Sequence, residues 1–216
     1  MDEILAQLHQ LGVIPVVAIQ DAADALALGR ALLEGGLPCA EITFRTAAAE
    51  GAIRRLAEAF PEMLVGAGTV LTVDQAQRAV AAGARFIVSP GFDVDVVDWC
   101  LAQGVAVTPG VATPTEINMA LAKGLHVLKF FPAEALGGVK TLKAIAAPYG
   151  QVRFIPTGGI NPGNLASYLA LPQVHACGGS WLASKQLIAD GDFQTITQRT
   201  REAIALVDFA RRGGAS

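Results

Sequence analysis

Short runs of apolar and β-branched residues recur along the whole chain, and each is followed by a segment whose apolar residues lie three and four positions apart. The runs have the length of buried strands, whereas the spacing between them is that of helices with one apolar face. The pattern predicts eight strands, beginning near residues 13, 39, 64, 86, 106, 126, 153 and 174. Successive starts are 20 to 27 residues apart, which is close to the minimum for a strand, a turn and a crossover helix.

Eight such units predict an α/β protein with a (β/α)8 TIM-barrel fold, because strands buried on both faces and joined by helices form a parallel sheet. An open, doubly wound sheet is the alternative. The first strand is not followed by the Gly-x-Gly-x-x-Gly turn of a dinucleotide site, and polar residues follow most strands, so the barrel is favoured. Residues 1–12 predict an additional N-terminal helix. No linker is visible, and we expect a single domain over residues 1–216, with the barrel over about 13–212.

Composition and charge exclude several classes of protein. Of the 216 residues, 52% are hydrophobic and 16% are charged, so the chain can build a large core and is not disordered. The net charge of -3 does not favour nucleic acid or an anionic membrane as a partner. Apolar runs are too short to span a bilayer, and residues 1–12 lack the basic and then apolar order of a signal peptide. We therefore expect a cytoplasmic protein without a membrane or nucleic-acid partner.

The positions of cysteine and histidine do not suggest a metal site. The cysteines are Cys39, Cys100 and Cys177. They are widely separated, odd in number and without a C-x-x-C pair, which favours a reduced compartment over a disulfide framework or a zinc cluster. His9, His126 and His175 are also scattered, and no set of histidines and carboxylates has ligand spacing. We expect no bound metal, and we place His126 and His175 where strands begin, away from the chemistry.

Lys129 is the most informative candidate, because catalytic groups of a TIM barrel gather where the strands end. It lies in the apolar run HVLKFFP, where strand alternation puts Val127 and Phe131 on its face. Burial disfavours the ammonium form, lowers a lysine pKa and frees the lone pair that attacks a carbonyl carbon to form an imine. The alternative is a lysine whose stem packs while its amine reaches water from the strand end.

The second strand carries charge toward the barrel interior. In CAEITFR, Glu41, Thr43 and Arg45 share one face. Glu41 and Arg45 are compatible with a structural ion pair. They are also compatible with chemistry, because a glutamate near an imine at Lys129 can shuttle protons, and an arginine offers a fork for a substrate carboxylate.

Two glycine-rich segments near the end of the chain suggest an anion site. In PTGGINPGN, Asn161 is predicted to cap the next helix and Pro162 to occupy its first position, which leaves backbone N–H groups free. The eighth strand ends in GGSW, where Ser180 adds a hydroxyl. Amides after the seventh and eighth strands are the usual phosphate position of TIM barrels. The alternative is that these glycines only form tight turns.

Several segments together resemble one enzyme family, the bacterial 2-keto-3-deoxy-6-phosphogluconate (KDPG) aldolases, which include 4-hydroxy-2-oxoglutarate aldolase activity. The segments are, in order, EITFRT, VGAGTVLT, VSPGF, TPGVATPTE, KFFPAE, GGVKTLKAIAAP, FIPTGGI and GGSWL. The resemblance runs from about Val13 to the final helix. It implies a class I aldolase on a (β/α)8 barrel, a homotrimer that takes a phosphorylated 2-keto acid and needs no metal or organic cofactor.

The resemblance also implies roles for individual residues. Lys129 would be the Schiff-base lysine and Glu41 the acid and base that transfers protons. Arg45 and Thr69 would hold the pyruvyl carboxylate. Pro90 and Phe131 would line the pocket, and Gly158, Gly159, Gly179 and Ser180 would bind the phosphate.

Other activities stay open beside this one. Thr157 matches the gluconate-derived substrate, whereas relatives that act on the galactonate-derived substrate tend to carry a smaller apolar residue there. A different phosphosugar barrel enzyme, an epimerase or isomerase, would use Glu41 without an imine at Lys129. A catalytically silent sugar-phosphate binding protein would be stabilised by its ligand and form no product.

Overall fold

The computed structural model describes residues 1–213; residues 214–216, at the end of the predicted domain, lie outside the described part. Its strands are β1 (Val13–Val17), β2 (Cys39–Thr43), β3 (Leu64–Gly68), β4 (Phe86–Val88), β5 (Ala106–Thr108), β6 (Gly110–Val111), β7 (Val127–Phe130), β8 (Arg153–Pro156) and β9 (Cys177–Gly179). Its helices are α1 (Asp2–Leu11), α2 (Ala25–Glu34), α3 (Ala49–Ala59), α4 (Val73–Ala81), α5 (Val94–Ala102), α6 (Pro114–Ala122), α7 (Gly138–Ala146), α8 (Leu165–Leu169), α9 (Lys185–Ala189) and α10 (Phe193–Gly213). A 3-10 helix, Ala22–Asp24, precedes α2.

The strands form a closed parallel barrel. One run of hydrogen-bonded strands has the order β5-β4-β3-β2-β1-β9, and a second has the order β6-β7-β8. Only Pro109 separates β5 from β6. Isolated parallel bridges from Phe154 to Val174 and from Thr157 to Gly178 join the other ends of the two runs. The ring is therefore complete, and the predicted (β/α)8 fold with its N-terminal helix is confirmed.

Two strands differ from the prediction in detail. The predicted fifth strand is divided into β5 and β6, because Pro109 has no amide donor for a continuous ladder. Its carbonyl still accepts a hydrogen bond from the Lys129 amide at 3.0 Å. The last strand begins at Cys177 instead of near residue 174, because its partner β1 begins at Val13, which pairs with Cys177.

Side-chain alternation on the strands decides which residues enter the barrel. On β2, Ala40 and Ile42 are buried in the apolar layer between the strands and the surrounding helices. The residues between them on the pleat, Glu41 and Thr43, therefore point to the barrel interior, where both are buried. The packing of one face thus places polar groups on the other.

Polar caps fix the connections that follow several strands. Thr72, Asp93 and Ser184 each accept a hydrogen bond from the amide three residues further on, at the starts of α4, α5 and α9. Thr113 forms a reciprocal capping box with Glu116 at the start of α6. Such caps satisfy amides that a helix leaves free and stop the helix from extending backward. The chain between each strand and its helix is therefore held short, at the face where the strands end.

Helix α1 packs at the opposite end of the barrel, where the strands begin. His9 Nδ1 donates to the carbonyl of His175 at 2.7 Å, and His175 Nε2 donates to the carbonyl of Leu5 at 2.8 Å. Together with His126, these two histidines border a cavity of about 470 Å³ under α1. The fold thus gathers histidines that are scattered in sequence. Within residues 1–213, no three His, Cys, Asp or Glu side chains are grouped as ligands for a metal ion.

Cys39, Cys100 and Cys177 are buried and carry free thiols. Burial raises the pKa of Cys100 to about 12 and also raises the pKa of the other two thiols, which makes all three poor nucleophiles. In the described part of the chain, no helix has both the length and the apolar character needed to cross a membrane.

Candidate active site

A cavity of about 280 Å³ lies at the face of the barrel where the strands end. Nine of the eleven residues that the sequence predicts for the site line it: Arg45, Thr69, Pro90, Lys129, Phe131, Thr157, Gly158, Gly159 and Ser180. Glu41 lies next to the cavity, in contact with Lys129. Gly179 does not line it, and its neighbour Gly178 does.

Lys129 is buried on β7, with 4% of its surface exposed. Its Nζ is 3.9 Å from Glu41 Oε1 and 4.9 Å from the centroid of the Phe131 ring. The amine therefore lies inside the barrel between a carboxylate and an aromatic ring, and does not extend from the strand end into bulk water. An amine at this position can attack a carbonyl carbon of a ligand in the cavity.

Glu41 is buried on β2, and within residues 1–213 its Oε1 accepts no hydrogen bond. Burial raises the pKa of this carboxyl group, and the positive charges of Lys129 and Arg45 oppose part of that rise. A carboxyl group with a raised pKa can take up and return a proton closer to neutral pH than an exposed one.

Gly68 supplies the space that the Glu41 carboxylate occupies. It is the last residue of β3, and the register of β2 and β3 pairs it with Thr43. A Cβ added at Gly68 would overlap the Glu41 carboxylate. Glycine on the neighbouring strand is therefore a requirement for the present position of this acid.

Arg45 is held at the rim of the cavity by a buried threonine. Arg45 Nε donates to Thr43 Oγ1 at 3.1 Å, and Thr43 Oγ1 donates to the carbonyl of Val17 at 2.9 Å.

Thr69 follows β3 with φ of 55°, the one positive φ among the described non-glycine residues. Backbone strain of this kind gathers at functional sites, where the surrounding structure maintains it.

The turn after β8 has its carbonyl groups bonded within the protein. Gly158 and Gly159 both have positive φ, 97° and 83°. The carbonyl of Gly158 accepts from the amide of Glu134 at 3.0 Å, and the carbonyl of Gly159 accepts from the side-chain amides of Asn161 and Asn164, each at 3.0 Å. Within residues 1–213, the amides of residues 158–160 have no acceptor. These N–H groups are available to an anion.

The prediction that Asn161 caps the next helix is wrong. Helix α8 begins later, at Leu165, and its N-cap is Asn164. The side chain of Asn161 instead accepts from the amide of Gly163 at 2.9 Å and closes a turn before the helix. Helix α8 is a short helix of five residues that begins after this turn. The free amides of residues 158–160 therefore belong to the glycine turn and not to a helix terminus.

The two glycines at the end of β9 have different reasons to be glycine. A Cβ at Gly178 would overlap Thr157 Oγ1, so Gly178 lets this threonine approach across the strands. A Cβ at Gly179 would overlap the ring of Trp181, which packs on it. The structure therefore brings Gly178 to the cavity and covers Gly179 with an indole ring.

Sequence reasoning missed further residues around the site. Val16 and Ile160 line the cavity, although in sequence they look like ordinary core residues. Ser89 and Thr108 are buried at the ends of their strands, and their hydroxyls have no hydrogen-bond partner among the described residues. The sequence predicts both hydroxyls where strands end, in VSP and in VTP, but nothing in it assigns either of them a role.

Comparison with known proteins identifies the family. A family model described as "KDPG and KHG aldolase" matches residues 4–199. The chain belongs to this family. As a member, this aldolase is a carbon–carbon lyase of the class I type.

Individual relatives match this aldolase over nearly their whole length. The 2-dehydro-3-deoxy-phosphogluconate aldolase of Treponema pallidum (strain Nichols) is 51% identical over 207 residues, which are 96% of this chain and 99% of the relative. The KHG/KDPG aldolase of Escherichia coli (strain K12) is 44% identical over 192 residues, 89% of this chain and 90% of the relative. A crystal structure of KDPG aldolase from Legionella pneumophila, with pyruvate captured at low pH as a covalent carbinolamine intermediate, matches with a TM-score of 0.88 and 41% identity, covering 93% of this chain and 96% of that one.

Proposed function

We propose that this aldolase cleaves KDPG to pyruvate and glyceraldehyde 3-phosphate through an imine at Lys129, and that it also acts on 4-hydroxy-2-oxoglutarate. One observation carries the proposal: the buried amine of Lys129 lines the cavity and lies 3.9 Å from the buried carboxylate of Glu41. Relatives whose names contain these substrates support it, as does the relative whose pyruvate is held as a carbinolamine.

The first steps form the imine. The neutral amine of Lys129 adds to the C2 ketone of KDPG and gives a carbinolamine. The C2 oxygen is then protonated and leaves as water, so that a protonated imine remains. The positive nitrogen attracts electrons from the C3–C4 bond, which weakens that bond for cleavage.

Glu41 then moves protons. Its carboxylate removes the proton of the C4 hydroxyl, the C3–C4 bond breaks, and the electron pair shifts through C2 to the nitrogen. Glyceraldehyde 3-phosphate leaves, and an enamine of pyruvate stays on Lys129. The enamine takes a proton at C3, with Glu41 as the donor, and water hydrolyses the imine to free pyruvate and the amine.

Arg45 and Thr69 are proposed to bind the C1 carboxylate of the substrate. The guanidinium offers a bidentate fork, and the hydrogen bond from Arg45 Nε to Thr43 supports its orientation. Pro90 and Phe131 line the cavity around the carbon chain.

The other end of the substrate carries the phosphate. The free amides of the turn at Gly158 and Gly159, together with the hydroxyl of Ser180, are proposed to bind it, because backbone N–H groups bind phosphate oxygens well. Because the Trp181 ring covers Gly179, we propose that this residue contributes only its backbone N–H group to phosphate binding. Buried Thr157 lines the same cavity and supports the gluconate-derived substrate over the galactonate-derived one.

The assembly and location are also part of the proposal. We propose that the enzyme is a homotrimer and works in the cytoplasm. Leu71, Val94, Met119 and Phe209 are large apolar side chains on the surface of the described residues, and such side chains are available to a subunit contact.

Trapping with borohydride tests the proposed reaction directly. Incubation with pyruvate and borohydride is expected to add one reduced pyruvyl group to the protein, and peptide mapping should place it on Lys129. A proton-transferring epimerase or isomerase, or a silent sugar-phosphate binding protein, would form no adduct. Folded protein that gains no adduct in excess pyruvate would contradict the proposal.

Gly68→Ala is expected to lower kcat for KDPG cleavage by ~10- to 100-fold, because the new Cβ would displace the Glu41 carboxylate. The melting temperature should fall as well, since Oε1, Cδ and Cγ of the buried Glu41 side chain would all have to move. Steady-state kinetics and thermal unfolding of the variant measure the two effects.

Gly150→Ala is the matched control for this substitution. A Cβ at Gly150 meets no atom within 4 Å, so kcat should stay at the value of the parent. If Gly68→Ala kept full activity, the position of Glu41 would not matter for turnover.

A further inference from the structure

Glu134 brings a carboxylate close to the turn that is proposed to bind phosphate. Its amide donates to the carbonyl of Gly158 at 3.0 Å. Its Cβ and Cγ lie so close to Gly159 that an added Cβ there would overlap them. The Glu134 side chain is exposed at the protein surface. A free carboxylate at this place would repel a bound phosphate group, because both are negatively charged.

The carboxylate is turned away from the cavity by a buried tyrosine. Tyr168 Oη donates a hydrogen bond to Glu134 Oε1. Gly138, the first residue of α7, lies against both groups: a Cβ there would be 2.9 Å from Glu134 Oε1 and 3.3 Å from Tyr168 Oη. The carboxylate therefore lies between α7 and α8, and Glu134 is not among the residues that line the cavity.

Tyr168 is a rigid anchor, whereas Glu134 is not. The tyrosine is fully buried in the apolar core, and a packed ring with two side-chain torsions holds its hydroxyl in one place. Glu134 is exposed and has three torsions, so without the tyrosine its carboxylate would be free to approach the turn at Gly158 and Gly159.

We propose that Tyr168 determines the preference of this aldolase for phosphorylated 2-keto acids, by fixing the Glu134 carboxylate between α7 and α8 and keeping its charge away from the substrate phosphate. The inference rests on the proposed function and extends it to the selection of substrate. Tyr168 touches neither the substrate nor the reacting atoms and acts as a positioning residue.

Tyr168→Phe tests the inference, because phenylalanine keeps the ring and removes the donor. The KM for KDPG is expected to rise ~10-fold, while kcat stays within ~2-fold, since the released charge acts on binding of the phosphate. The concentration of pyruvate that gives half-maximal borohydride trapping should stay within ~2-fold, because pyruvate has no phosphate. A purely structural role would change both substrates together.

Variants of Glu134 with a neutral or a shortened side chain test the role of its charge. In Tyr168→Phe/Glu134→Gln the loose side chain is uncharged, so the KM for KDPG should return to within ~3-fold of the parent. Glu134→Asp changes an exposed residue and shortens its reach to Tyr168, so it should raise the KM even if Tyr168→Phe does not fold; Glu134→Asn should not. Tyr149→Phe, which alters the other tyrosine hydroxyl, bonded to Asn118 at 3.2 Å, is the control and should leave the KM unchanged.

Each outcome separates this inference from the proposed function. An unchanged KM in Tyr168→Phe and Glu134→Asp, an equal loss for KDPG and pyruvate, or a KM that the neutral double variant does not restore would overturn the role of Tyr168. A parent protein that neither cleaves KDPG nor traps pyruvate would instead overturn the proposed function itself.

Discussion

Lys129→Ala is expected to lose both KDPG cleavage and the reduced pyruvyl adduct. Without the amine no imine forms, and the C3–C4 bond has no electron sink. We expect kcat/KM to fall by at least ~10,000-fold, which corresponds to about 5.4 kcal/mol of transition-state stabilisation. A coupled assay for released pyruvate and the mass of the borohydride-treated protein measure the two losses.

Two further variants show that the loss belongs to the nucleophile. Lys129→Met keeps the length of the buried side chain and should be as inactive as Lys129→Ala. Lys140→Ala removes an exposed lysine of α7 and should keep activity and adduct. Folded Lys129→Ala protein that cleaves KDPG at a rate near that of the parent would exclude the imine mechanism.

The order of strands and helices could be predicted from the sequence, because it depends on local signals. The predicted starts at residues 13, 39, 64, 86 and 106 are those of β1 to β5. Apolar runs bounded by turns and caps suffice for these. The start of β9 at Cys177 could not be predicted in this way, because it depends on pairing with Val13, more than a hundred and fifty residues away in the chain.

The two central side chains of the candidate site were visible for the same local reason. Lys129 and Glu41 are charged residues inside apolar strand runs, and burying a charge is costly unless a specific arrangement maintains it. The fold class then predicts where both side chains lie, since the strand ends of a barrel meet at one face. The distance of 3.9 Å between the amine and the carboxylate could not be predicted, because it depends on how two separate strands are placed in the barrel.

The remaining features depend on contacts across strands. Gly68 is glycine because of Glu41 on the neighbouring strand, and Gly178 because of Thr157. The choice between Gly178 and Gly179 depends on which of them Trp181 covers. Such contacts follow from sheet register and side-chain packing. A glycine in the sequence therefore indicates that another group approaches its backbone closely, but the sequence does not show which group this is.

Glu41→Gln is expected to separate imine formation from carbon–carbon cleavage. Glutamine has nearly the same shape as glutamate, but it cannot take the proton of the C4 hydroxyl. We expect kcat for KDPG cleavage to fall by ~100- to 1,000-fold, the usual contribution of a general base. Borohydride should still trap pyruvate on Lys129, because the amine remains. Glu62→Gln, at an exposed position, is the control and should leave kcat unchanged.

The pH dependence gives this prediction its sharpest test. Burial raises the pKa of Glu41 above its ordinary value of 4.5, and the reaction needs its carboxylate form. The kcat of the parent should therefore be high above the raised pKa and fall as the pH decreases through it, at a higher pH than an exposed carboxyl group would give. In Glu41→Gln this acidic limb should be absent, since the group that titrates has been removed. If the limb persisted in the variant, another group would be the base, and Glu41 would act only through the electrostatics of Lys129.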